Sequence, residues 1–161
     1  MYVDITGAAR VARLSAEFDW TWYIEDFPRF CLAAGWELIV SGELGAEVLT
    51  DLQVERPECI AFYRKRILKY FSCFVTDVSA AGLSRAGSRK RAVDGFVDLG
   101  QVLGGYLGEP NRYGPGSDFS VGWDRPNVAI AIQATSDSIF LSVASPEYQA
   151  FLDEPEPELD V

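Results

Sequence analysis

Apolar residues alternate with polar ones over residues 37–77 and again over 118–144, and between those stretches their spacing changes to that of a helix. A period of two puts alternate side chains on opposite faces of a strand, and a period near 3.6 gathers them on one side of a helix. Two blocks of strands set apart by one helical stretch do not fit the strict alternation of a parallel α/β sheet. They fit an α+β domain with a mostly antiparallel sheet covered by helices.

Local signals give the boundaries. Asp4 is placed to cap a first helix that runs to about Glu17. Residues 18–23 read as a connection. A second helix follows, with Glu25 and Asp26 in its first turn, Pro28 near its start and Gly35 closing it. Strands are predicted over 37–42 and 46–54, joined by Gly42-Glu43-Leu44-Gly45, and over 59–64 and 67–77 around the basic turn Arg64-Lys65-Arg66. The 67–77 segment is apolar on both faces, which places it centrally in the sheet. A glycine-, serine- and alanine-rich stretch, 79–88, leads to a third helix over 88–107. Gly95, Gly100, Gly104 and Gly105 within that helix predict a close approach to the sheet or a frayed end near 104–105. Three more strands, 118–124, 127–134 and 138–144, and a short helix from Pro146 to Leu152 complete the pattern. The expectation is one domain, 1–152, with about six to seven strands, helices on one face and the order ααββββαβββ. A disordered acidic tail is expected over 153–161.

Charge and missing residue types narrow the function. The chain has 161 residues, 24 of them acidic and 14 basic, a net charge of −10 and no histidine. Without imidazole it lacks the commonest general base and the commonest metal ligand. No phosphate-binding glycine motif, calcium loop or nucleophilic triad is present, so the reading is binding without catalysis, cofactor or metal. Cys31, Cys59 and Cys73 have no ligand spacing and read as buried thiols in a reducing compartment. No apolar run is long enough to cross a membrane and no signal peptide is visible, so the expected location is cytoplasmic.

The charge is uneven: residues 1–58 carry −7, residues 59–93 carry +7, and the remainder is acidic. The basic stretch reads as a solvated turn and helix start; the net charge opposes nucleic acid as a partner. Asp94 and Asp98, four apart on the third helix, mark a solvated face, and Glu25 and Asp26 read the same way. Trp20, Trp22, Tyr23, Phe27, Phe30 and Trp36 divide between core and contact patch. Glu43, Glu47, Asp51 and Glu55 alternate along the second strand and its loop, as a row of carboxylates on an exposed sheet face would. From charge and exposure, the candidate partner-binding residues are Asp19, Trp22, Tyr23, Glu43, Glu47, Asp51 and Glu55.

Several stretches resemble a family of small actinobacterial proteins. They are Asp4-Ile5-Thr6-Gly7-Ala8-Ala9, Phe18-Asp19-Trp20-Thr21-Trp22, Phe30-Cys31-Leu32-Ala33-Ala34-Gly35-Trp36 and Phe74-Val75-Thr76-Asp77-Val78. Leu107-Gly108-Glu109-Pro110, Trp123-Asp124-Arg125-Pro126-Asn127-Val128 and Pro146-Glu147-Tyr148-Gln149 extend the likeness to nearly the whole chain. Members of that family look like immunity proteins of polymorphic toxin systems. The resemblance implies an intracellular antitoxin that neutralises a cognate toxin domain through a protein–protein interface, and the chain's acidity points to a toxin that is basic and acts on nucleic acid. It supplies no binding residues of its own. The second reading is a secretion or folding chaperone gripping a client segment.

Overall fold

The computed structural model describes residues 3–77, 85–114, 119–135 and 138–154. In chain order the elements are α1 (Ile5–Glu17), α2 (Asp26–Ala34), β1 (Glu37–Ser41), β2 (Gly45–Leu49), β3 (Glu58–Arg64) and β4 (Ile67–Phe74). Then follow α3 (Arg85–Leu107), β5 (Arg112–Tyr113), β6 (Phe119–Asp124), β7 (Ala129–Ala134), β8 (Ile139–Ala144) and α4 (Pro146–Asp153). The strands form one antiparallel sheet of eight in the order β1-β2-β3-β4-β8-β7-β6-β5. It consists of two four-strand meanders joined where β4 pairs with β8, so β4 is central, as its two apolar faces predicted. Each meander follows a helix that ends on a left-handed glycine, Gly35 (φ 77°) after α2 and Gly108 (φ 89°) after α3.

The core lies between α1–α3 and one face of the sheet. Ala8, Val11 and Ala12 of α1, Phe27 and Phe30 of α2, and Leu99 and Leu103 of α3 are buried in one cluster with Phe71, Cys73, Ile130, Ile132, Leu141 and Val143. Phe30 and Phe71 stand 5.0 Å apart between ring centroids, and Trp20 stacks on both Trp22 and Phe30. Cys31, Cys59 and Cys73 are buried free thiols, the last two paired across β3 and β4.

Several expected features are present. Asp4 caps α1, its Oδ1 accepting the Gly7 N–H at 2.9 Å. Gly35 closes α2 while the Trp36 N–H donates to the Cys31 carbonyl. The Gly42–Gly45 hairpin forms between β1 and β2. In α3, Gly95 is the close approach: a Cβ there would stand 3.4 Å from Ile139 Cδ1 of β8 and 2.8 Å from Val3 Cγ2. The helix runs through Gly104 and Gly105 without fraying.

Other expectations are corrected. The described residues form eight strands, because Arg112–Tyr113, read as loop, pairs with Gly122 and Val121 of β6; two residues are too short to show a period. β2 ends at Leu49: the Thr50 N–H still donates to the Pro57 carbonyl in register with the ladder, but Pro57 has no N–H to give in return, and the pairing stops there. Buried Leu52 and the bond from Gln53 N–H to Asp4 Oδ2 (2.8 Å) then tie this loop to the start of α1. β4 stops at Phe74. The order gains a strand; the terminal helix expected from Pro146 is present as α4, but it lies on the opposite face from the other three. Asp153, assigned to the tail, is the last residue of α4. Residues 78–84 of the small-residue connection and 155–161 of the tail lie outside the described residues.

Candidate functional site: the uncovered face of the sheet

Strand alternation that sends Cys59, Ala61, Phe71, Cys73, Leu141 and Val143 toward the helices sends their neighbours to the other face. Register makes that face readable as three rows. The middle row runs Glu47, Ile60, Ser72, Ser142, Ala131, Gly122, Arg112. Ser72, Ser142, Ala131 and Gly122 are small, so the row is a trough. Phe62 and Tyr70 flank it on one side, and Phe74 and Phe140 on the other.

α4 walls the Tyr70 side. Ser145 caps it, its Oγ accepting the Tyr148 N–H at 3.0 Å, and Tyr148 stacks on Tyr70 with centroids 5.4 Å apart. Burial pushes the Tyr148 phenol up from its ordinary pKa. At the far end Arg112 forks between Asp124 of β6 and Asp153 of α4, with Nη2 2.7 Å from Asp153 Oδ2. These bonds hold the Asp153 carboxyl below the ordinary carboxylate range.

At the other end the trough opens into a concavity of about 760 Å³, bordered by Glu47, Glu58 and Arg56 and floored by Ile60, Phe74 and Phe140. Ile60 is 60% exposed on this floor. The Arg56 guanidinium sits 5.4 Å above the centroid of Phe74. Glu58 Oε2 is enclosed and has no hydrogen-bond partner. The surface is thus apolar along its floor, with a few charged groups at its border.

A protein-family profile described as "Family of unknown function (DUF6301)" matches residues 6–145. The chain belongs to that family. No curated protein and no solved structure matches it. The part matched to DUF6301 contains all eight strands and stops at Ser145, so α4, the helix seated on the uncovered face, begins one residue beyond it.

Within this DUF6301 domain the seven residues picked from sequence do not form one patch. Glu47 alone lies on the uncovered face. Asp19 and Tyr23 are exposed, and Glu43 is exposed in the β1–β2 turn. Trp22 is a correction: it is 8% exposed, stacked on Trp20, with its Nε1 donating to the Asn127 carbonyl at 3.0 Å. It is core, held at φ 67° by Asp26, whose carboxylate accepts the Thr21 and Trp22 N–H groups at 2.7 Å each. Asp51 and Glu55 are off the strand because β2 ends before them. Asp51 instead pairs with Arg10 and accepts Trp36 Nε1, and Glu55 donates its backbone N–H to Asp77. The row of strand carboxylates is therefore one residue, Glu47, joined across the sheet by Glu58. Ile60, Phe74, Phe140 and Glu58 were missed. The available signal was the second apolar face of the 67–77 segment, which one helix layer cannot cover.

Proposed function

We propose that this chain is an immunity protein that binds and neutralises a cognate toxin domain through the uncovered sheet face, without catalysis. One observation carries the reading. The antiparallel sheet has a second apolar face, concave and bordered by carboxylates, that the chain's own helices leave largely open. Exposed apolar surface of this kind favours a protein partner, and the net charge of −10 favours a basic one. Association steered by that charge is fast at low salt, so affinity falls with ionic strength chiefly through the association rate, which stopped-flow mixing at two salt concentrations measures.

The test is co-expression. The C-terminal domain of a large secreted toxin encoded beside this chain is induced in a sensitive host with and without it. Restored growth and a one-to-one complex on gel filtration support the reading. Unchanged killing, with both proteins present at full length, overturns it. A trough open along the sheet also suits an extended segment, which keeps the chaperone as the second reading; a dimer that holds an unfolded, harmless client would establish it instead.

A further inference from the structure

We propose that Glu58 and Glu47, above the Ile60 and Phe74 floor, form a receptor for a single arginine side chain of the partner. This rests on the reading of the uncovered face as a protein-binding surface and names what that surface recognises.

The starting point is Glu58 Oε2, enclosed yet without a donor. Buried polar atoms in folded proteins are almost always hydrogen-bonded, so an orphaned carboxylate oxygen beside a groove marks a bond left for something outside the chain. The terminal torsion of a glutamate is soft, and a small rotation turns that oxygen toward the groove the carboxylate borders. Glu47 faces the same groove. It stands directly opposite Ile60, and Glu58 is two residues along the same strand, on the same face. Diagonal neighbours across antiparallel strands are about 7–8 Å apart. With both side chains flexible, the two carboxylates can reach one cation between them, and a guanidinium, whose planar fork carries five donors, fits two carboxylates better than an ammonium with three.

The floor suits the rest of the side chain. Ile60, 60% exposed, offers an apolar bed for the three-carbon stem. Phe74 already carries one guanidinium, that of Arg56, over its ring. Arg56 forms no ion pair among the described residues, and Glu47 and Glu58 together outweigh its single charge, so the niche keeps a net negative charge. The region behind it, residues 37–55, contains four carboxylates besides Glu47 and no lysine or arginine. That field attracts a cation and argues against a second copy of this acidic chain as the occupant.

The experiment is an amide NMR titration of the full chain with a blocked heptapeptide, one central arginine among leucines and serines. An otherwise identical peptide carries citrulline, which keeps the shape and removes the charge. Expected are shifts clustered at Glu47, Glu58, Ile60, Ser72 and Phe74, with affinity falling at least tenfold for the citrulline peptide and for Glu58→Gln. Glu47→Gln gives a smaller loss, and the circular dichroism of both variants stays unchanged. Equal binding of both peptides, shifts centred elsewhere, or no binding overturns the proposal. So does a concentration-dependent rise in mass that Glu58→Gln abolishes, which assigns the niche to a second copy. Arginine binding here without rescue from any toxin would leave this receptor standing and remove the immunity reading; rescue with no arginine binding would do the reverse.

Discussion

Asp26 ties the Thr21–Trp22 connection to the start of α2. Its carboxylate is 1% exposed and accepts bonds from the Thr21 and Trp22 backbone, the Thr21 hydroxyl and Arg29. Bonds to a charged acceptor are worth roughly 1.5–3 kcal/mol each, and removal leaves buried donors unpaired. Asp26→Ala is expected to lower stability by about 3 kcal/mol or more in urea unfolding, with Trp fluorescence shifting as Trp22 loosens. The opposite sign is expected at the basic turn. Lys65 and Arg66 sit at φ 51° and 65°, a mirror-image two-residue hairpin turn that normally uses Asn-Gly. An L residue in this region costs roughly 1–2 kcal/mol. Arg66→Gly should therefore stabilise by about 1 kcal/mol, read as a higher urea midpoint, because the lost Glu25 contact is exposed on both sides. Neither site was legible locally. Two acids opening a helix look solvated in sequence; Asp26 is buried only because residues 18–22 fold back over α2. Arg64-Lys65-Arg66 was legible as a turn, but its strain was not.

At the scale of elements, α4 is a latch. Eight residues are too few to hold a helix in water, so its order depends on Tyr148 against Tyr70 and on Arg112 gripping Asp153. Arg112→Gln should raise amide exchange across residues 146–153 while leaving the central strands protected. Because Arg112 holds Asp153 below the ordinary carboxylate range, the latch's contribution is present above that range. It is lost only as pH falls through the lowered value. Long elements with strong periodicity, α1, α3 and β6 to β8, were legible in the sequence. What escaped it were ends set by distant partners. β2 stops where Pro57, which has no N–H, ends its ladder with β3 and Leu52 turns in against α1, and β5 is only the two residues Arg112 and Tyr113 that pair with β6.

The whole molecule has an unusual pH profile built in. With no histidine, no side chain has its ordinary titration near neutrality. Stability is expected to be flat between about pH 5.5 and 8. Above that, burial holds Cys31 and Tyr63 up to about 12. The unfolded chain gives up these protons first, from about pH 8.5 for a thiol and about 10 for a phenol. The stability they contribute is thus complete below those values and drains as pH rises toward about 12. Thermal melts across the alkaline range check both the plateau and the decline; a transition centred near pH 6.5 would contradict it. The α+β class and the central place of β4 were legible; the junction of the meanders was not, because β4 and β8 lie far apart in the chain. That junction has a consequence in time. During synthesis β4 is complete at Phe74, while its partner ends 70 residues later at Ala144. At about 5–20 residues per second, the first half waits roughly 4–14 seconds with its innermost strand as an open edge. A strand paired on both sides in the finished sheet is, for those seconds, an edge.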